Sequence, residues 1–109
     1  MRRATFSASH LYWLPELSDD ENRARFGACS QAPGHGHNYE IEVTVGGPVD
    51  PETGMIADLK WLKDVMDREV VSLVDHRNLN TDVAFLDGIV PTAENLACAF
   101  WHRLARPVS

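Results

Sequence analysis

Long apolar runs are missing from this sequence: no stretch approaches the twenty or so residues that a membrane-crossing helix needs, which sets aside a spanning function. Positive charge is short as well. Lys and Arg number 10 against 16 Asp and Glu, a net charge of −6, and that balance argues against a protein that tracks a phosphate backbone. An anionic substrate would have to be met by local positive charge or by a metal. Cysteine is nearly absent: Cys29 and Cys98 are the two in the chain, too few for a disulfide framework, and no basic start followed by an apolar segment suggests export. The expected compartment is therefore a reducing cytoplasm. Repeats, low-complexity tracts and linkers are also lacking, so the 109 residues read as one domain with a modest core.

What is present has clear periods. ATFSASH (4–10) alternates, with Ala4, Phe6, Ala8 and His10 on one side and Thr5, Ser7 and Ser9 on the other, the pattern of a half-buried strand. HNYEIEVTV (37–45) is the clearest strand: Tyr39, Ile41, Val43 and Val45 share a face opposite Asn38, Glu40, Glu42 and Thr44. Between them, residues 11–34 form a long connection with an apolar patch, LYWLPEL, and a charged run, SDDENRAR, suited to one helical turn. A connection this long in a small domain is usually functional.

After Gly46, Gly47 and Pro48 come a Pro/Gly turn and a short extended piece near Met55–Ala57. Asp58 then caps a helix predicted to reach about Val74, with Leu59, Leu62, Met66, Val70 and Leu73 as its apolar stripe. DHRNLN breaks that helix. PTAENLACAFWHRLA reads as a second helix, with Thr92 as N-cap and Ala97, Phe100, Trp101 and Leu104 inward. Two strands followed by two helices make an α+β pattern, and two strands alone are a marginal sheet beneath two helices.

His35 and His37 share the odd numbering of Tyr39, Ile41 and Val43, so both imidazoles should point to the otherwise apolar face. Antiparallel pairing of the two strands would bring His10 to them. Three neutral imidazoles leave a fourth position open, as in a catalytic zinc site, and Gly36 would remove bulk where the chain approaches the metal. Against this stands the plainer reading of His-x-His as polar surface. A cupin-like site with Glu42 as a further ligand is disfavoured, since Glu42 has the opposite parity. Cys29 enters the same region and, near a metal or a protonated histidine, would be a base or nucleophile; its alternative is an inert buried thiol, a role that suits Cys98 better. Asp75 and His76 form either an orienting pair for that thiol or a helix cap.

FSASH, Cys29 with five residues between it and HGHNY, DHRNLN and PTAEN together resemble the 6-pyruvoyltetrahydropterin synthase family, which includes the 6-carboxytetrahydropterin synthases of queuosine biosynthesis. The match runs through nearly the whole chain in the family's order. By position, the resemblance implies His10, His35 and His37 as ligands of Zn2+, Cys29 as catalytic thiol, Asp75 and His76 as its partners contributed by a neighbouring subunit, and Thr92 and Glu94 in the pterin-lining segment. Ala93 stands where the animal synthases have a hydroxyl residue.

The implied fold is the tunnelling fold, an antiparallel sheet with two helices on one face, assembled into a homohexamer of two trimers whose open sheet edges pair between subunits. The implied reaction is carbon–oxygen lyase chemistry on 7,8-dihydroneopterin triphosphate, a small-molecule substrate, with loss of triphosphate and no nicotinamide or flavin. The family continues into further β-strands, one bearing a glutamate that anchors the pterin, whereas this sequence stops at RLARPVS; residues 1–109 are thus expected to be incomplete at the C-terminal end relative to the family. The spacing from Cys29 to His35 favours the pyruvoyl-forming type over the carboxy type. A non-catalytic pterin-binding homologue is the remaining alternative.

Overall fold

The computed structural model describes residues 1–30 and 35–108, the side chains of Ala28 and Cys29 excepted. Strand β1 spans Arg2–His10, helix α1 Asp19–Phe26, and strand β2 His35–Val43. Helix α2, Leu59–Met66, runs through a π-helical turn, Asp67–Val71, into α3, Ser72–Val74; a two-residue strand β3, Arg77–Asn78, and helix α4, Ala93–Val108, follow. This is an α+β fold.

β1 and β2 pair antiparallel from Arg2↔Val43 to His10↔His35. The alternation in both strands is what fixes that register, because a slip by one residue would turn every apolar side chain to water. β3 lies on the other side of β1 and pairs with it in parallel, giving the order β2-β1-β3. The sequence reading expects DHRNLN to break the helix and to carry Asp75 and His76, but places no strand there. Asn80 extends the junction: its side-chain amide donates to the Leu11 carbonyl and accepts the Leu11 N–H, at 2.8 and 2.7 Å.

The core lies between the inward face of β1, Phe6 and Ala8, and the helices, with Leu62, Val65, Met66, Val70, Val74, Leu96, Phe100 and Leu104 all buried. Phe6 stacks on Tyr39 at 4.9 Å and meets Phe100 edge-on at 6.1 Å. The helix from Asp58 begins as expected, with the Asp58 carboxylate accepting the Lys60 N–H. Its stripe differs from expectation. Leu59 and Leu73 are exposed, and Leu62, Met66, Val70 and Val74 face the core. Steps of four residues overshoot a 3.6-residue turn by about 40° each, and the wider π turn absorbs that drift. Arg103 of α4 ties down the same turn, its guanidinium bonding the Glu69 carbonyl at 3.0 Å and the Glu69 carboxylate at 3.1 Å.

Helix α4 is rotated relative to the sequence reading: Leu96, Phe100 and Leu104 are buried, while Ala97 is exposed and Trp101 is 71% exposed. Ala97 and Trp101 line an apolar groove beside Ile41 and Val43 of β2. Helix α1 is longer than the single turn expected, because Ser18 and Glu21 close a reciprocal capping box. Its buried Asn22 bonds Leu14 through both its N–H and its carbonyl, organising the long connection. Residues 50–55 form the expected turn, closed by the Asp50 N–H donating to the Met55 carbonyl, whereas residues 55–57 bend instead of forming the extended piece expected there. No helix among the described residues is long and apolar enough to cross a membrane.

Candidate metal centre and acid–base pair

His10 ends β1, and the register places it opposite His35 at the start of β2, with His37 two residues further along the same face. The three rings are 4.5 to 4.8 Å apart, centroid to centroid, and one ligating atom from each lies within 4.8 Å of the others. Strand parity together with antiparallel pairing predicts this convergence.

His10 is the anchor. It is 2% exposed, stacks on Tyr12 at 4.5 Å, and shares a 2.6 Å hydrogen bond between its Nδ1 and the Tyr39 hydroxyl. That bond occupies Nδ1 and orients the ring, leaving Nε2 buried with no partner among the described residues. Buried polar atoms are nearly always satisfied, so an orphaned imidazole nitrogen facing two further imidazoles fits a metal ion. A hydrogen bond to the non-ligating nitrogen is the usual support of a metal-bound histidine. Burial above all, with His35 and His37 adding like charge when protonated, pushes His10 down to about 4; it is therefore neutral and ready to ligate at neutral pH. His35 is half-buried and His37 exposed, which opens the centre to a small molecule. Tyr39 had been read only as a core residue; its position two along from His37 on the same face was the available signal.

Gly36 has a different role from the one expected. A Cβ there would meet only the Ala8 carbonyl, at an ordinary 3.6 Å, and Gly36 pairs with Ser9 on the opposite face of the sheet. It does not make room for the metal. Glu42 also points away, pairing with Arg3 at 2.9 Å, as its parity required.

Asp75 and His76 follow α3. The Asp75 carboxylate accepts the Ser7 N–H at 2.9 Å and lies 3.0 Å from His76 Nδ1, while the His76 N–H donates to the Ser7 carbonyl. The Ser7 amide above all, with His76, holds the Asp75 carboxyl below its ordinary range. A carboxylate at Nδ1 fixes the imidazole so that Nε2 faces outward; the His76 side chain is 81% exposed. Its backbone is left-handed, at φ 58°, a conformation that costs a non-glycine residue about 1–2 kcal/mol and that gathers at functional sites. The pair sits beside Ser7 and Asn38, on the open face of the sheet, away from the three-histidine face.

Cys29 belongs by its backbone to a single turn, Gly27–Ser30; its side chain lies outside the described residues. Cys98 is exposed on α4, not buried as expected. Thr92 caps α4, its hydroxyl accepting the Asn95 N–H at 3.2 Å, and Glu94 is exposed in the first turn of that helix.

Three imidazoles carried by two strands of an α+β layer, with a buried nitrogen left open, define a candidate metal centre. The chain belongs to the 6-pyruvoyl tetrahydropterin synthase family, a family of lyases, whose model matches residues 1–109. A 6-pyruvoyl tetrahydrobiopterin synthase of Pongo abelii is 46% identical over 105 residues, 96% of this chain and 72% of that protein. The solved structure of Caenorhabditis elegans 6-pyruvoyl tetrahydropterin synthase superposes with a TM-score of 0.91 at 44% identity, covering 99% of this chain and 76% of the other. A protein of Archaeoglobus fulgidus, provisionally named a 6-carboxy-5,6,7,8-tetrahydropterin synthase, is 36% identical over 87 residues, 73% of this chain and 70% of its own.

Proposed function

We propose that this chain is a zinc-dependent synthase that converts 7,8-dihydroneopterin triphosphate to 6-pyruvoyl tetrahydropterin with loss of triphosphate. The observation that carries the reading is the convergence of His10, His35 and His37 around the orphaned Nε2 of His10. Higher identity to the pyruvoyl-forming relative than to the carboxy-forming one, over a longer match, supports the choice of product, as does the spacing from Cys29 to His35.

His10, His35 and His37 would hold Zn2+, which when bound supplies Lewis acidity that acidifies the C–H bonds of a hydroxylated side chain. Cys29 as thiolate takes the proton from that carbon. His76 exchanges protons through Nε2, and Asp75 keeps Nδ1 protonated and the ring in place. Thr92 and Glu94, at the start of α4, face the pterin. A reducing cytoplasm would keep Cys29 free.

Because Asp75 and His76 lie on the face away from the triad, they serve the triad of a second copy. The shape of the chain supports assembly: its radius of gyration is 16.8 Å, against about 13 Å for a compact chain of this length, and Trp101 stands in an uncovered apolar groove. A homohexamer with tunnelling-fold packing satisfies both.

Mass spectrometry of the products, after incubating zinc-loaded, reduced protein with 7,8-dihydroneopterin triphosphate, tests the reading. A pterin that keeps its three-carbon side chain is expected, and Cys29→Ala should abolish it while retaining zinc. A 6-carboxy product with released acetaldehyde would move the protein to the other branch of the family, and unchanged substrate would overturn the catalytic reading.

A further inference from the structure

The open face of the sheet bears a cleft of about 580 Å³ that the chemistry above uses only at its edge. Ser7 and Ser9 of β1, Asn38 of β2, and His76, Arg77 and Asn78 around β3 form its walls. The strand alternation that buries Phe6 and Ala8 turns hydroxyls and amides to this side, and Gly36, lacking a side chain, lowers the floor between them. The Ser7 hydroxyl donates to Asn38 Oδ1 at 2.7 Å, and Asn38 lines the cleft with an amide that can donate.

Arg77 is the cation here. Arg3, Arg23, Arg68 and Arg103 each pair with a carboxylate, but among the described residues no carboxylate lies within 4 Å of Arg77. Asp82 is the acid in the lining, and donors hold it back: the Asn78 N–H at 3.0 Å and the Thr81 hydroxyl at 3.2 Å. In a chain with 16 acidic and 10 basic residues, an unpaired guanidinium among hydroxyl and amide donors is the chemistry that grips phosphate oxygens.

We infer that this cleft is the polyphosphate subsite and that Arg77 holds the triphosphate of a substrate whose side chain reacts between His76 and the histidine triad of a second copy. The inference rests on the function proposed above and adds the residue that meets the anionic end. Sequence neighbours would divide the work: His76 serves the carbon side chain and Arg77 the phosphates.

Inorganic tripolyphosphate is the probe. Titrated calorimetrically into the zinc-loaded chain, it should bind Arg77→Gln about tenfold more weakly than the wild type, as expected for loss of a charged hydrogen-bond donor. Arg77→Lys should restore part of the affinity, and zinc content and circular dichroism should be unchanged in both variants. KM for 7,8-dihydroneopterin triphosphate should rise by a similar factor in Arg77→Gln. Equal tripolyphosphate affinity in wild type and Arg77→Gln would overturn the assignment. Because this titration needs no turnover, the two readings separate. A chain that binds tripolyphosphate through Arg77 but leaves the substrate unchanged keeps the subsite and loses the reaction, whereas turnover with unaltered KM and unaltered tripolyphosphate affinity keeps the reaction and loses the subsite.

Discussion

On the helix-covered face of the sheet, His10 is 2% exposed, its Nδ1 is bound by Tyr39, and its basicity is depressed to about 4. On the open face, the His76 side chain is 81% exposed, its Nδ1 is held by Asp75, and its backbone is left-handed. Both rings have Nδ1 engaged and Nε2 directed elsewhere, yet the partners differ in kind. Burial beside two further imidazoles keeps His10 uncharged, as a metal ligand must be, and the Tyr39 hydroxyl orients the ring. A carboxylate at an exposed ring fixes its orientation and leaves Nε2 open to solvent, which suits a group that passes protons. The same residue type is set to two tasks by its burial and by what touches one nitrogen.

Removing a ligand should have the largest effect. His35→Ala is expected to lose bound zinc and all turnover, read by elemental analysis of the purified protein; full zinc occupancy would show that the triad is not the centre. Next, Asp75→Asn should keep zinc but lower kcat by roughly 10²–10⁴, the range of general acid–base catalysis, and should displace the pH profile. A variant that loses zinc instead would place Asp75 on the metal side of the comparison. Tyr39→Phe is subtler: the ring and its stacking on Phe6 remain while the bond to His10 Nδ1 goes, so zinc affinity should fall about tenfold, as for other outer-shell partners.

The smallest effect is on stability against pH in metal-free protein. His10 takes its proton at about 4 when folded and 6.5 otherwise, so between those values the unfolded chain holds more protons. Stability should therefore be complete above pH 6.5 and fall as pH drops toward 4. Asp75 acts with the same sign lower down: its depressed carboxyl contributes fully above the ordinary carboxylate range, and the contribution is lost as pH falls through its lowered value. Urea midpoints across this range should decline toward acid, and His10→Gln should flatten the upper part of the curve.

The helix-covered face was more legible in the sequence than the open one. A period of two in residues 4–10 and 37–45 was enough to pair the strands and converge three histidines, because burial of one face fixes register. β3 carries no such signal: two residues after a helix have no period, and only the long-range bonds of Ser7, Ser9 and Leu11 to Asp75, Leu79 and Asn80 place it. For the same reason nothing in the sequence said on which face His76 would fall. Trp101 was misassigned because hydrophobicity counts toward an inward stripe whether or not something covers it, and α4 instead seats Leu96, Phe100 and Leu104. The π turn was invisible as well, since spacings of three and four fit an ordinary helix nearly as well.

The central claim is that the two faces act on one substrate across two copies of the chain. It is tested most directly by mixing His35→Ala with His76→Ala, each inactive alone, and assaying product after the subunits exchange. Restored activity approaching about a quarter of wild type, the share of sites that randomly pair one intact triad with one intact His76, is the predicted result. No activity in the exchanged mixture would mean that the triad and the acid–base pair do not meet between copies.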